Sequence, residues 1–219
     1  MKVGMDGVLL GAWVDPSGAE RILDIGAGTG LIALMMAQKN SSALITAIEI
    51  DQESFQEACM NFRNSVWNNR IQPVCCSFQE FSERTILKYD LLLSNPPFFN
   101  NGMKAPIENR ARARHSHTLP LAELISGAKL LMALNGRMAL ILPFESLTEI
   151  ESLAKLNGLY ISRLCRVKPN PVKPNFRILI ELTLKEHPRQ EESLMIEFER
   201  HHNYTPEYME LTGDFYLKF

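Results

Sequence analysis

No apolar run in this 219-residue sequence approaches the ~20 residues needed to cross a bilayer. The first residues, Met1-Lys2-Val3-Gly4-Met5-Asp6, lack the basic-then-apolar order of a secretory signal. Cysteine is scarce, and Cys59, Cys75, Cys76 and Cys165 form neither a C-x-x-C pair nor the spacing of a secreted disulfide framework. The expectation is a soluble, cytoplasmic, monomeric protein with no structural disulfide, no metal site and no membrane partner. Net charge is small as well. With 23 Lys+Arg against 25 Asp+Glu, the formal balance is −2, so no overall basic excess advertises a nucleic-acid partner. Repeats and low-complexity tracts are missing, which excludes solenoid architectures.

What is present is ordinary globular composition, 46% apolar and 22% charged, in a length that suits one large domain. The charge is unevenly spread. Lys104, Arg110, Arg112 and Arg114 stand in a stretch with one acid, Glu108, while Arg163, Arg166, Lys168, Lys173 and Arg177 stand in a stretch with none. Two basic segments on an acidic body can form a site for a polyanion, although loops also collect solvated cations.

Hydrophobic patterning alternates between strand and helix. Strands are expected at 21–25, 44–48, 71–75, 89–94 and 137–142, the last closed by Pro143, with helices at 31–38, 52–68, 121–132 and 145–156. Asn135-Gly136 reads as the stop of the third helix. This alternation predicts an open, mostly parallel α/β sheet. After Gly158 the pattern changes: 159–167 and 176–184 read as an antiparallel pair, joined by Lys168-Pro169-Asn170-Pro171-Val172-Lys173-Pro174. Three prolines reduce the entropy such a loop loses when a partner orders it. The last thirty residues read weakly, with an edge strand at 194–198.

Asp24-x-Gly26-x-Gly28-x-Gly30 falls where the first strand becomes a helix. Glycines there allow a tight turn and close approach of a ligand, and the helix start beyond supplies N–H donors. Glu49 ends the next strand, where a carboxylate can accept both hydroxyls of an adenosine ribose. Dinucleotide sites favour G-x-G-x-x-G, whereas here the spacing is G-x-G-x-G with an acid two residues ahead. Asp24 would repel a pyrophosphate but attract the ammonium of a methionine moiety, so S-adenosylmethionine is preferred over a dinucleotide.

The fourth strand ends in Ser94-Asn95-Pro96-Pro97-Phe98-Phe99. Ligands of open α/β sheets bind outside the carboxyl ends of the strands, so this turn should face the glycine turn. Two prolines remove two N–H donors and leave carbonyls free to accept. The Asn95 side chain and the Pro96 carbonyl can together hold both hydrogens of one planar –NH2 group, and Phe98 can stack on it. Such a pair of acceptors favours pyramidalisation of a poorly nucleophilic nitrogen, and no strong general base is needed.

With both motifs in that order, the chain resembles the class I S-adenosylmethionine-dependent methyltransferases of the amino-methylating branch. More closely, it resembles the bacterial tRNA (adenine-N6)-methyltransferases that act beside the anticodon. Lys2-Val3-Gly4, Asp6 to Trp13, the Asp24–Gly30 turn, Ser94 to Phe98, Arg112-Ala113-Arg114-His115 and the Lys168–Arg177 loop carry that likeness. It implies a Rossmann-like α/β fold with a mostly parallel seven-stranded sheet and an antiparallel C-terminal hairpin. The whole of 1–219 would be one methyltransferase domain, with a shortened N-terminal cap segment over 1–20 and an extension over 185–219.

The resemblance further implies that Lys2, Asp24, Gly26, Gly28, Gly30, Glu49, Ile50, Ser77, Phe78 and Asn95 meet the cofactor, with Gly7 and Val8 near its methionine end. Asn95, Pro96, Pro97 and Phe98 would hold the target base. Arg110, Arg112, Arg114, His115, Lys168, Lys173 and Arg177 would meet the anticodon loop of a tRNA, through phosphates. His117 and His201-His202 carry no assigned role. The acceptor pair alone fits other planar amines too: a protein glutamine amide, or adenine in DNA. An RNA-binding module with a degenerate cofactor fold would need a broken site, and the residues of this one are all present.

Overall fold

The computed structural model describes residues 4–97, 119–199 and 202–216. The chain begins with helix α1 (Met5–Trp13), then alternates β1 (Arg21–Ile25), α2 (Leu31–Lys39), β2 (Leu44–Glu49), α3 (Gln52–Asn64), β3 (Ile71–Cys75), α4 (Phe78–Arg84) and β4 (Tyr89–Ser94). It resumes with α5 (Leu121–Leu131), β5 (Met132–Pro143), a 3-10 turn at Phe144–Ser146, α6 (Leu147–Leu156), β6 (Tyr160–Lys168), β7 (Arg177–Thr183), β8 (Gln190–Met195) and α7 (Pro206–Thr212).

These strands form one sheet in the order β3-β2-β1-β4-β5-β7-β6-β8. Strands β1 to β5 run parallel to one another, and β7 is antiparallel to both β5 and β6. The period-2 alternation of the strands divides the core into two layers. Ile22, Leu91 and Leu93 face a layer that includes α1, α2 and α7, whereas Leu23, Leu92 and Leu140 face α5 and α6. All six side chains are fully buried.

Among the described residues the sheet has eight strands rather than the expected seven. The tail adds β8, which pairs parallel to β6 outside the hairpin, Arg163 opposite Gln190 through Lys168 opposite Met195. Ion pairs fasten this edge: Arg163 with Glu192 at 2.9 Å, and Arg166 with Glu191. Strand β8 thus starts four residues earlier than its apolar residues alone suggest.

Asn135-Gly136 does not end a helix. Helix α5 stops at Leu131, and the dipeptide lies in β5, where the register with β4 shifts between Tyr89 and Leu91. Gly136 suits that irregularity, because a Cβ would stand 2.7 Å from the Tyr89 carbonyl oxygen. Helix α3 ends at Asn64 instead of Asn68, since the Ser65 amide and hydroxyl both donate to the Phe62 carbonyl and close its last turn. Among the described residues no helix is long and apolar enough to cross a membrane.

Candidate functional site

The parallel topology brings the carboxyl ends of β1, β2, β3 and β4 to one edge. Three left-handed glycines shape the turn after β1: Gly26 (φ 72°), Gly28 (φ 56°) and Gly30 (φ 86°). Gly26 and Ala27 both donate their amides to the Ile48 carbonyl at 3.0 and 2.9 Å, drawing the turn over the end of β2. Gly30 is doubly constrained. Beyond its φ, a Cβ there would lie 2.3 Å from the Phe62 ring.

Asp24 is fully buried beneath this turn. Its Oδ2 accepts from the Ala33 amide of the first turn of α2 at 3.0 Å, the placement a helix N-terminus favours for an anion. Its Oδ1 is buried with no hydrogen-bond partner among the described residues. Burial pushes the Asp24 carboxyl from 3.8 up to about 7; the Ala33 amide opposes this and the nearby Glu49 charge adds to it.

Glu49, also buried, uses one oxygen to accept from the Gly28 amide at 2.7 Å and the other from the Asp51 amide at 2.8 Å. It therefore pins the glycine turn to β2. Each carboxylate oxygen keeps a second lone pair for a ligand hydroxyl. Ile50, the next residue, is 41% exposed. Cys75, at the end of β3, stands opposite Glu49 in register.

Ser77 and Phe78, expected to meet the cofactor, stand just beyond β3. Ser77 is the N-cap of α4 in a reciprocal capping box with Glu80. The Phe78 ring is buried, 2.6 Å from where a Gly127 Cβ would be. Its ring serves the core.

Asn95, Pro96 and Pro97 follow β4 directly. Ser94 lies opposite Ile25, and its hydroxyl donates to the Ile25 carbonyl at 2.8 Å. Asn95 and Gly26 are thereby the first residues beyond two bonded strand ends. Asn95 and Pro96 are half-buried and Pro97 is exposed. Phe98 lies outside the described residues, as do Lys2, Arg110, Arg112, Arg114 and His115.

Helix α1 flanks the turn from the other side. A Cβ on Gly7 would stand 3.3 Å from the Leu31 side chain, at the start of α2. Lys39 donates to the carbonyls of Gly11, Ala12 and Val14 and closes the far end of α1. Trp13 Nε1 donates to Glu192 at 2.8 Å, and the Arg163 guanidinium lies 4.2 Å from the Trp13 ring centroid.

The second basic segment is thus less bare than its sequence. Arg163, Arg166 and Arg177 are each ion-paired, with Glu192, Glu191 and Asp6 respectively. Lys173 is exposed and Lys168 half-buried. The acids that neutralise this stretch come from β8 and α1. No local pattern announces them, and sequence reading gave Asp6 no partner.

A family model described as the methyltransferase small domain matches residues 7–142. The chain is 46% identical over its whole length to a Trichodesmium erythraeum protein named tRNA1(Val) (adenine(37)-N6)-methyltransferase, and spans 92% of that protein. It is 43% identical, with the same coverage, to a Bacteroides fragilis protein of the same name. Among solved structures, a protein of Agrobacterium tumefaciens described as a predicted O-methyltransferase superposes with a TM-score of 0.73 at 22% identity, covering 95% of this chain and 96% of that one. A TehB-like SAM-dependent methyltransferase from Corynebacterium glutamicum gives 0.55 at 17% identity, covering 83% and 89%. At such identities the likeness is one of fold.

Proposed function

The chain belongs to the methyltransferase small domain family, and on that premise we propose that it methylates the exocyclic N6 amino group of adenine 37 in a valine tRNA, with S-adenosylmethionine as donor. The observation that carries this reading is the Asn95-Pro96-Pro97 turn beside the glycine turn, joined to it through the Ser94–Ile25 hydrogen bond. Full-length relatives with that named activity supply the substrate.

The residues present fit the cofactor. Asp24 Oδ1 is a buried acceptor lacking a donor, suited to an ammonium or a water that it binds. Glu49 keeps lone pairs for a ribose diol, and the glycine turn keeps side chains out of the way. When bound, the cofactor supplies an electrophilic sulfonium methyl. The protein positions the amine. The Asn95 amide oxygen and the Pro96 carbonyl accept its two N–H bonds, orient its lone pair and favour a pyramidal nitrogen. Phe98 stacks on the extruded base. The proton leaves after transfer, so no side chain need act as a strong base. Lys173 and the Arg110–His115 segment would contact phosphates of the anticodon stem-loop, fixing register without reading sequence. The enzyme acts on this reading as one domain and as a cytoplasmic monomer, with 1–20 as its cap segment and 185–219 as an extension.

The test uses labelled S-adenosylmethionine and total tRNA from a strain lacking this gene, with wild type beside Asn95→Ala. Digestion to nucleosides should place the label in N6-methyladenosine at position 37, and the variant should lose roughly 10²–10³ in rate. Label in a co-incubated protein fraction, and none in RNA, would overturn the tRNA reading in favour of glutamine methylation.

A further inference from the structure

Arg177 opens β7, where it stands opposite Pro143 at the end of β5 and Val167 near the end of β6. This is the same carboxyl edge that carries the glycine turn. Its Nε donates to Asp6 Oδ2 at 3.0 Å, its Nη1 donates to the Phe176 carbonyl at 3.0 Å, and its guanidinium lies 5.0 Å from the Phe176 ring centroid. The pair is partly buried, the side chains 26% and 22% exposed. A guanidinium held by a carboxylate, a carbonyl and a ring has its orientation set from within the protein.

Asp6 lies in the first turn of α1, and Gly4 ahead of it provides no side-chain cap. Gly7, the next residue, packs against Leu31 at the start of α2. The first turn of α1 is therefore held between the helix that follows the glycine turn and Arg177. The other end of α1 is fastened separately, by Lys39 on three carbonyls and by Trp13 on Glu192. Breaking the Asp6–Arg177 pair should free the site-proximal turn and leave the rest of the helix docked.

The geometry points to Asp6 and Arg177 as a positioning pair for cofactor binding. Arg177 acts through Asp6 to fix where the chain enters α1 beside the glycine turn, and its charge is spent there instead of on tRNA phosphate. This inference rests on the cofactor site proposed above.

The full-length protein is compared with Arg177→Ala, Asp6→Asn and the exchanged pair Asp6→Arg/Arg177→Asp. Calorimetric Kd and steady-state KM for S-adenosylmethionine should rise about fivefold in both single variants, the scale of one partly exposed ion pair, and the exchange should recover most of that loss. Melting temperature should fall by no more than about 4 °C. The salt dependence of tRNA binding should keep its slope in Arg177→Ala. Hydrogen exchange reads the pair without any ligand: amides 8–10, whose i−4 acceptors are the carbonyls of Gly4, Met5 and Asp6, should exchange faster in both single variants, and amides 12 and 13 should not. A lower tRNA affinity with a salt slope reduced by about 1 in Arg177→Ala, and neither change in Asp6→Asn, would make Arg177 a phosphate ligand and overturn the proposal. Unchanged exchange at 8–10 would overturn it too. Failure of the tRNA reading alone would show as absent RNA label with the cofactor and exchange effects intact.

Discussion

The Ser94 hydroxyl and the Ile25 carbonyl meet at 2.8 Å inside the sheet, where both residues are almost wholly buried. This bond supplements the β1–β4 ladder at its last rung and sets the separation of the two turns that follow, which we propose hold the cofactor and the amine. Ser94→Ala removes the donor and leaves a buried carbonyl short of a partner. The expected stability loss is about 1 kcal/mol, seen as a melting temperature lower by roughly 2–4 °C. Because the alignment of amine and donor depends on this rung, kcat should fall by about tenfold while KM for S-adenosylmethionine changes little. Thermal melts and steady-state kinetics on one preparation decide it. An unaltered kcat would mean that the ladder alone holds the two turns together.

Asp24 makes stability depend on pH in a direction opposite to that of most carboxylates. Its folded-state pKa is raised from 3.8 to about 7. Between those values the native state keeps a proton that the unfolded chain has already lost, so stability falls as pH rises through this window. Above about 7 the full cost of burying the anion is present. Asp24→Asn retains an acceptor for the Ala33 amide and removes the ionisation. It should therefore gain on wild type as pH rises from 5 to 8, with the two converging toward pH 4. Denaturant midpoints across that range test the sign. The same variant should bind S-adenosylmethionine more weakly, because an uncharged amide does not attract an ammonium. Near pH 6, wild type should release most of a proton on binding, detectable by calorimetry in two buffers of different ionisation enthalpy.

Where local chemistry decides, the sequence was legible. Strand β1 was bounded correctly at both ends because a short apolar run meets a glycine turn, and β4 because Asn95-Pro96-Pro97 cannot continue a ladder. Helix α1 was not read at all. Seven of its nine residues are buried, so its apolar residues surround the helix and show no one-sided period. Helix α4 is only seven residues long, yet Ser77-x-x-Glu80 was a capping box in plain view. Of the candidate site, the spacing of Asp24, the glycines and Glu49 and the strand-terminal Asn95-Pro96-Pro97 are visible in the sequence, and the structure gathers them at one edge. Long-range pairing was beyond reach. Asp6 and Arg177 are 171 positions apart, and nothing in either segment marks them as partners. Counting charges along the chain therefore overstated the basic character of 163–177.

Thiol chemistry offers a probe of the proposed cofactor site that needs no substrate. Cys75 is exposed at the end of β3, opposite Glu49, with its Sγ 3.2 Å from Gln52 Oε1. Local desolvation pushes its thiol upward, and the charges of Glu49, Cys59 and Asp51 add to this. Cys165 is buried in β6 and pushed up to about 12. At pH 8 iodoacetamide should therefore modify Cys75 well before Cys165, but more slowly than a free cysteine, since the thiolate is the nucleophile. Peptide mapping over time gives both rates, and Cys165 should label only on denaturation. If Glu49 holds the ribose of the cofactor, saturating S-adenosylmethionine should cover the Cys75 thiol and slow its modification severalfold. Asp24→Asn, binding the cofactor less well, should need more of it for the same protection. Cys75 labelling at one rate with and without cofactor would separate the end of β3 from the ribose site and remove Glu49 from its assigned role.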